Sequence, residues 1–126
     1  MGKAAPTGFA RSIVEAFGDL IVQHKPLATG AVSVYNPPLQ SVAVVKSVTI
    51  CNSTANPATF RIFFDRLGST LSESTALFWD EAIAANTTRL LTVYWPLRRG
   101  AAASTLGVRS SVGSALTFTF WGDVIT

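Results

Sequence analysis

Charge is scarce in this chain. Of its 126 residues only 13% are Asp, Glu, Lys or Arg, while 48% are hydrophobic, against the roughly 25% charged that is usual in soluble domains. So little charge cannot coat a free monomer, and monomers ordinarily keep exposed apolar patches to a few hundred Å². Much of the surface is therefore expected to lie against other subunits. A neutral surface rich in Ser, Thr and Asn is the alternative, and the sequence supplies those residues too. The net charge is +3, but Lys and Arg are scattered singly apart from Arg98-Arg99 and the neighbouring Arg61 and Arg66. Nucleic-acid binders concentrate charge in a stripe interleaved with stacking aromatics. No such stripe is present, which argues against direct nucleic-acid binding.

Cysteine and histidine are each present once. Cys51 alone excludes an intrachain disulfide and a cysteine metal cluster, leaving it as a small buried or interfacial apolar side chain. His24 alone excludes a metal site of several imidazoles, and its setting, Gln23-His24-Lys25-Pro26, offers a strand end and no nucleophile. No G-x-S-x-G elbow, H-E-x-x-H, P-loop or G-x-G-x-x-G is found. The acids are Glu15, Asp19, Asp65, Glu73, Asp80, Glu81 and Asp123. Glycosidic cleavage needs two carboxyls facing across a cleft, whereas the adjacent Asp80 and Glu81 of a strand point to opposite faces. A calcium site built on Asp65 or Asp80 has no motif behind it. The sequence thus predicts no enzyme, no catalytic residue, no cofactor and no metal.

Long apolar runs are missing as well. The longest uncharged stretch, Pro26 to Val45, is interrupted by Gly30, Asn36, Pro37, Pro38 and Gln40, which rules it out as a membrane helix. The N-terminus has no apolar stretch like a signal peptide, and Pro6 stands where a myristoylation motif needs Ser or Thr. No membrane partner is expected. Asn52-Ser53-Thr54 and Asn86-Thr87-Thr88 satisfy the glycosylation sequon, but with no secretory signal they read as polar turns.

What is present is a series of short alternating runs. In Leu116-Thr117-Phe118-Thr119-Phe120-Trp121 the strict alternation marks a strand with one buried face, with Leu116, Phe118 and Phe120 inward. Further strands are expected at Leu20 to Gln23, Ala31 to Tyr35, Val42 to Cys51, Ala58 to Asp65, Ala76 to Ala82, Thr88 to Trp95, Thr105 to Ser110 and, closing the chain, Ala115 to Val124. Separators such as Asn36-Pro37-Pro38 and Ala84-Ala85-Asn86 carry turn chemistry. Eight strands with no helix between them predict an all-β sandwich or jelly roll over residues 19–126. Residues 1–18 are read as an N-terminal arm or short helix, since Phe9, Ile13, Ala16 or Phe17, and Leu20 fall at helical spacing and Ser12 with Glu15 offers a capping box.

Several aromatics break the inward set. Phe63 faces away from Phe60, Ile62 and Phe64, and Trp121 faces away from Phe118 and Phe120. Phe78-Trp79 and Tyr94-Trp95 place aromatics on both faces of their strands. Either both faces are packed there, as under a loop, or the outer aromatics form an interface, where such side chains carry much of the binding energy. The interface candidates are Phe9, Ile13, Phe17, Phe63, Trp79, Trp95 and Trp121.

The succession Gly30 to Tyr35, Val44-Val45-Lys46-Ser47-Val48-Thr49-Ile50-Cys51-Asn52, Ala58 to Ile62 and the closing Leu116 to Gly122 resembles small β-sandwich virion structural proteins of tailed bacteriophages. The similarity runs from about Ala28 to the C-terminus. It implies a particle component made in the host cytoplasm and resident in the virion: a capsid cement or decoration subunit bound to major capsid proteins, or a tail or fibre component. Self-association is implied too, with a trimer the first expectation by analogy of architecture and a dimer the second. The rival is a carbohydrate- or receptor-binding module in which Trp79, Tyr94, Trp95 or Trp121 would stack on sugar rings.

Overall fold

The structure, a computed structural model, describes residues 17–99 and 102–125. Its strands are β1 (Phe17–His24), β2 (Val32–Tyr35), β3 (Val42–Asn52), β4 (Ala58–Asp65), β5 (Ala76–Ile83), β6 (Thr87–Arg98), β7 (Thr105–Ser110) and β8 (Leu116–Ile125), with one 3-10 turn at Glu73–Thr75 before β5. Each sequence-predicted strand is found: β1, β3, β5 and β6 run longer than expected by one to four residues, β4 and β7 match, β2 is one residue shorter and β8 is displaced by one. Phe17 and Gly18, assigned from sequence to the arm, already belong to β1. Phe9, Ile13 and the capping box lie outside the described residues.

Two four-stranded antiparallel sheets form, in the orders β1-β8-β3-β6 and β2-β7-β4-β5. β4 pairs with β5, β3 with β6, β2 with β7 and β1 with β8. The chain is thus one long hairpin rolled up on itself, and the roll is closed by the further pairs β3 with β8 and β4 with β7. This is the winding of a jelly roll, one of the two forms the sequence left open.

The inner faces meet in a single apolar core. Leu116, Phe118 and Phe120 of β8, Val45, Val48 and Ile50 of β3 and Phe60 and Ile62 of β4 are all fully buried. Phe118 meets Phe60 edge to face at 6.1 Å between centroids, a geometry that adds to the area term. Burying each such phenyl contributes roughly 1.5–3 kcal/mol.

Two local devices shape the strands. Between Val45 and Ser47 the register shifts against β8, where β3 carries the extra residue and Lys46 bulges from the sheet, and against β6, where the extra residue is on β6 between Thr92 and Trp95. Opposite that bulge the β3 backbone comes so close to Gly122 that a Cβ there would overlap the Val44 carbonyl oxygen, and only glycine fits. On β5 the extra residue lies between Phe78 and Glu81, and Asp80 takes a positive φ of 52°. An Asp in the left-handed region at a bulge is a tolerated strain.

Asn52 is buried, not glycosylatable surface: its amide donates to Asn56 O at 2.8 Å and Ala84 O at 3.2 Å, and its Oδ1 accepts from Thr54 N and Oγ1. It ties the turn after β3 to the turn after β5.

Candidate contact surface

Strand parity decides which side chains reach solvent. On the outer face of the β1-β8-β3-β6 sheet one row runs Ile21, Trp121, Ser47, Thr92, and the next runs Gln23, Thr119, Thr49, Leu90. Ile21 is 60% exposed and its cross-strand partner Trp121 42%, while Leu90 and Tyr94 on β6 stand 67% and 69% exposed. Large apolar side chains thus stand on both edges and in the middle of this face. Between them the bulged Lys46 pairs with Asp123, and that hydrogen bond holds the ammonium above its ordinary pKa.

The outer face of the other sheet is built differently. Arg61 of β4 lies over Trp79 of β5, its guanidinium carbon 3.4 Å from the ring centroid. It also forks onto Asp80, with Nε donating to Oδ1 at 2.7 Å and Nη2 to Oδ2 at 3.0 Å. Arg109 of β7 approaches the same carboxylate at 3.6 Å. The Arg61 hydrogen bond first, and then the charges of both arginines, hold Asp80 below the usual carboxylate range, and the same hydrogen bond raises Arg61. The β5 bulge makes this arrangement possible by turning Trp79 and Asp80 to the same side. Glu81 points the other way, to Arg89 of β6 at 3.2 Å. The two adjacent acids face apart, as strand geometry requires.

The seven sequence-predicted interface residues therefore separate. Phe9 and Ile13 lie outside the described residues, and Phe17 begins β1 opposite Ile125. Phe63 is 1% exposed: Leu71 folds over its cross-strand partner Gly107, and Trp79 meets its ring edge on at 6.3 Å. That is the loop-covered outer face that the sequence offered as the alternative to an interface. Trp95 is turned inward against Phe78 at 6.3 Å and helps close the gap between β5 and β6. Trp79 and Trp121 remain at the surface, each about two-fifths exposed.

Ile21 and Leu90 were not singled out from the sequence. Parity would have found Leu90, since Leu91, Val93 and Trp95 are the inward set of β6. Ile21, flanked by Leu20 and Val22, gives no such signal.

Neither carboxylate considered for calcium is open to one. Asp65 accepts from Thr70 N at 2.8 Å and Leu67 N at 3.1 Å, which lowers its pKa, and Asp80 is taken by two arginines. Among the described residues no three His, Cys, Asp or Glu side chains gather where they could hold a metal ion. No helix among them is long and apolar enough to cross a membrane. An open depression of about 330 Å³ is lined by Asn36, Gly68, Ser69, Arg99, Ala102, Ala103 and Thr105. Its Asn36 amide is occupied by Ser104 O and Thr105 Oγ1, and no His, Cys, Asp or Glu is among the described residues that line it.

No protein-family model matches the chain, and neither does any curated protein. Solved structures with a similar strand arrangement include the T13 particle of infectious bursal disease virus, with a TM-score of 0.49, 6% identity and 87% of this chain covered. This chain spans 31% of the length of that one. A Bacillus endospore appendage subunit, from disulfide-linked pili, has a TM-score of 0.49 and 15% identity over 87% of this chain and 86% of its own. PirA has a TM-score of 0.37 and 16% identity over 87% and 92%.

Proposed function

We propose that this chain is a non-enzymatic structural subunit of a bacteriophage particle, a capsid cement or decoration protein that self-associates and binds neighbouring major capsid proteins. The observation that carries this reading is the outer face of the β1-β8-β3-β6 sheet, where Ile21, Trp121, Leu90 and Tyr94 stand in water on a domain whose core is already complete. Exposed aromatic and aliphatic groups on a rigid sheet suit a flat protein partner. A subunit that binds only the assembled lattice stabilises it by mass action. The strand segments that resemble tailed-phage virion proteins point the same way.

Sugar stacking is less well supported. Trp79 has Arg61 on one ring face and Trp95 is turned inward, so two of the four rings named for that role are not open platforms.

The test is to add purified chain to phage heads lacking their decoration protein and to measure sedimentation with the heads and resistance to heat. Binding and added resistance are expected. Heads that neither bind the chain nor gain resistance, while a glycan or tail preparation captures it, would overturn the cement reading.

A further inference from the structure

We propose that β1 is a self-pairing edge: two copies of this chain join antiparallel along Asp19 to Lys25, about a two-fold axis at Val22, merging two four-stranded sheets into one of eight. The proposal rests on the self-association in the reading above and names the surface and symmetry that produce it.

The sandwich has four edges, β1 and β6 in one sheet and β2 and β5 in the other. A free edge presents unpaired N–H and C=O groups, and proteins blunt such edges with proline, bulges, shortness or a covering segment. Three of the four are blunted here. β6 contains Pro96 and a register shift, and the N–H and C=O of Arg98 are both engaged by Ser104, at 3.1 and 2.9 Å. β5 is bent by the bulge at Asp80. β2 is four residues long and shifts register. Among the described residues β1 has none of these: eight residues pair with β8 without a break, and no proline interrupts them.

The side chains of that edge, with Lys25 one residue beyond its end, complement themselves. Antiparallel pairing about Val22 sets Asp19 across from Lys25 of the second copy, Leu20 across from His24 and Ile21 across from Gln23. Asp19 and Lys25 are both exposed, and among the described residues neither takes part in an ion pair. The two-fold axis creates two such opposite-charge pairs, one at each end, and opposite charges directly across strands stabilise the pairing. Moving the axis to Ile21 or Leu20 would set Asp19 against Gln23 or Ile21, so charge selects the register. The same contact covers Ile21 beside Trp121. It is isologous and closes at two, giving a dimer in place of the trimer expected by analogy.

Sedimentation of the full chain at micromolar concentration and low salt tests it, with circular dichroism to check the fold of each variant. Asp19→Lys and Lys25→Asp each put like charges together at both ends, and about a tenfold or greater rise in the dimer dissociation constant is expected. The double variant Asp19→Lys with Lys25→Asp restores both pairs and should dimerise again. A wild-type oligomer indifferent to either reversal, or a double variant that does not recover, overturns the β1 contact and leaves self-association standing. A wild-type chain that sediments as a monomer removes self-association itself.

Discussion

The Arg61 guanidinium stacks on the Trp79 ring, 3.4 Å from its centroid, and Asp80 fixes it there through two hydrogen bonds. A cation over an indole face is attracted by the ring quadrupole, and the carboxylate fork removes the freedom of the long side chain. Trp79 is consequently exposed yet has one face covered by Arg61 and its ring set against Phe63, both of β4.

This cluster gives stability an acid limb. Asp80 and Asp65 are both held below the ordinary carboxylate range, the first chiefly by Arg61 and the second by the Thr70 and Leu67 amides. A lowered native pKa contributes stability that is complete above the unfolded value of about 3.9 and is lost as pH falls through the native one. The thermal midpoint is expected to be level near neutrality and to fall below about pH 4. Asp80→Asn with Asp65→Asn should lower the midpoint at neutral pH and flatten that fall. A double variant whose acid limb matches wild type would show that other groups control it.

Phe118→Ala removes a fully buried ring in contact with Phe60. The expected loss is about 3–5 kcal/mol in urea unfolding, from lost transfer energy and the cavity left behind. A loss below about 1 kcal/mol would mean that the core collapses around the gap.

Gly122→Ala tests the β3 bulge, since its Cβ would collide with the Val44 carbonyl, which is backbone and cannot swing aside. Gly18→Ala and Gly30→Ala meet nothing within 4 Å and serve as controls. Soluble yield and thermal midpoint should drop sharply for the first and hold for the other two. An unaffected Gly122→Ala would show that β3 and β8 slide apart at little cost.

Leu90→Asp and Tyr94→Asp alter side chains about two-thirds exposed on an edge strand. Both variants should unfold like wild type while binding to phage heads weakens, as truncated interface anchors commonly cost more than 1 kcal/mol. Undiminished binding in both would move the contact off this part of the face.

His24→Ala should leave heat protection of reconstituted heads intact, because His24 ends β1 opposite Phe118 with no nucleophile motif or second imidazole to join. Complete loss of protection in a variant that still folds and associates would assign this side chain a specific contact.

Alternation by itself determined the strands, and with them the inward set Leu116, Phe118 and Phe120, because neighbouring side chains on a pleated strand must point to opposite sides. It also marked Phe63, Trp79 and Trp121 as outward, but exposure is not a property of parity. Phe63 and Trp79 follow the same outward rule, yet Leu71 covers the row of one while the other stays about two-fifths exposed, because the connection between β4 and β5 folds back over Gly107. Trp79 and Asp80, neighbours that simple alternation would separate, share a face only because β5 carries an extra residue relative to β4. The partner of each strand was equally beyond local pattern. β1 finds β8 some hundred residues away, since what selects it is the rolling of one long hairpin, and that winding fixes which edge is left unblunted.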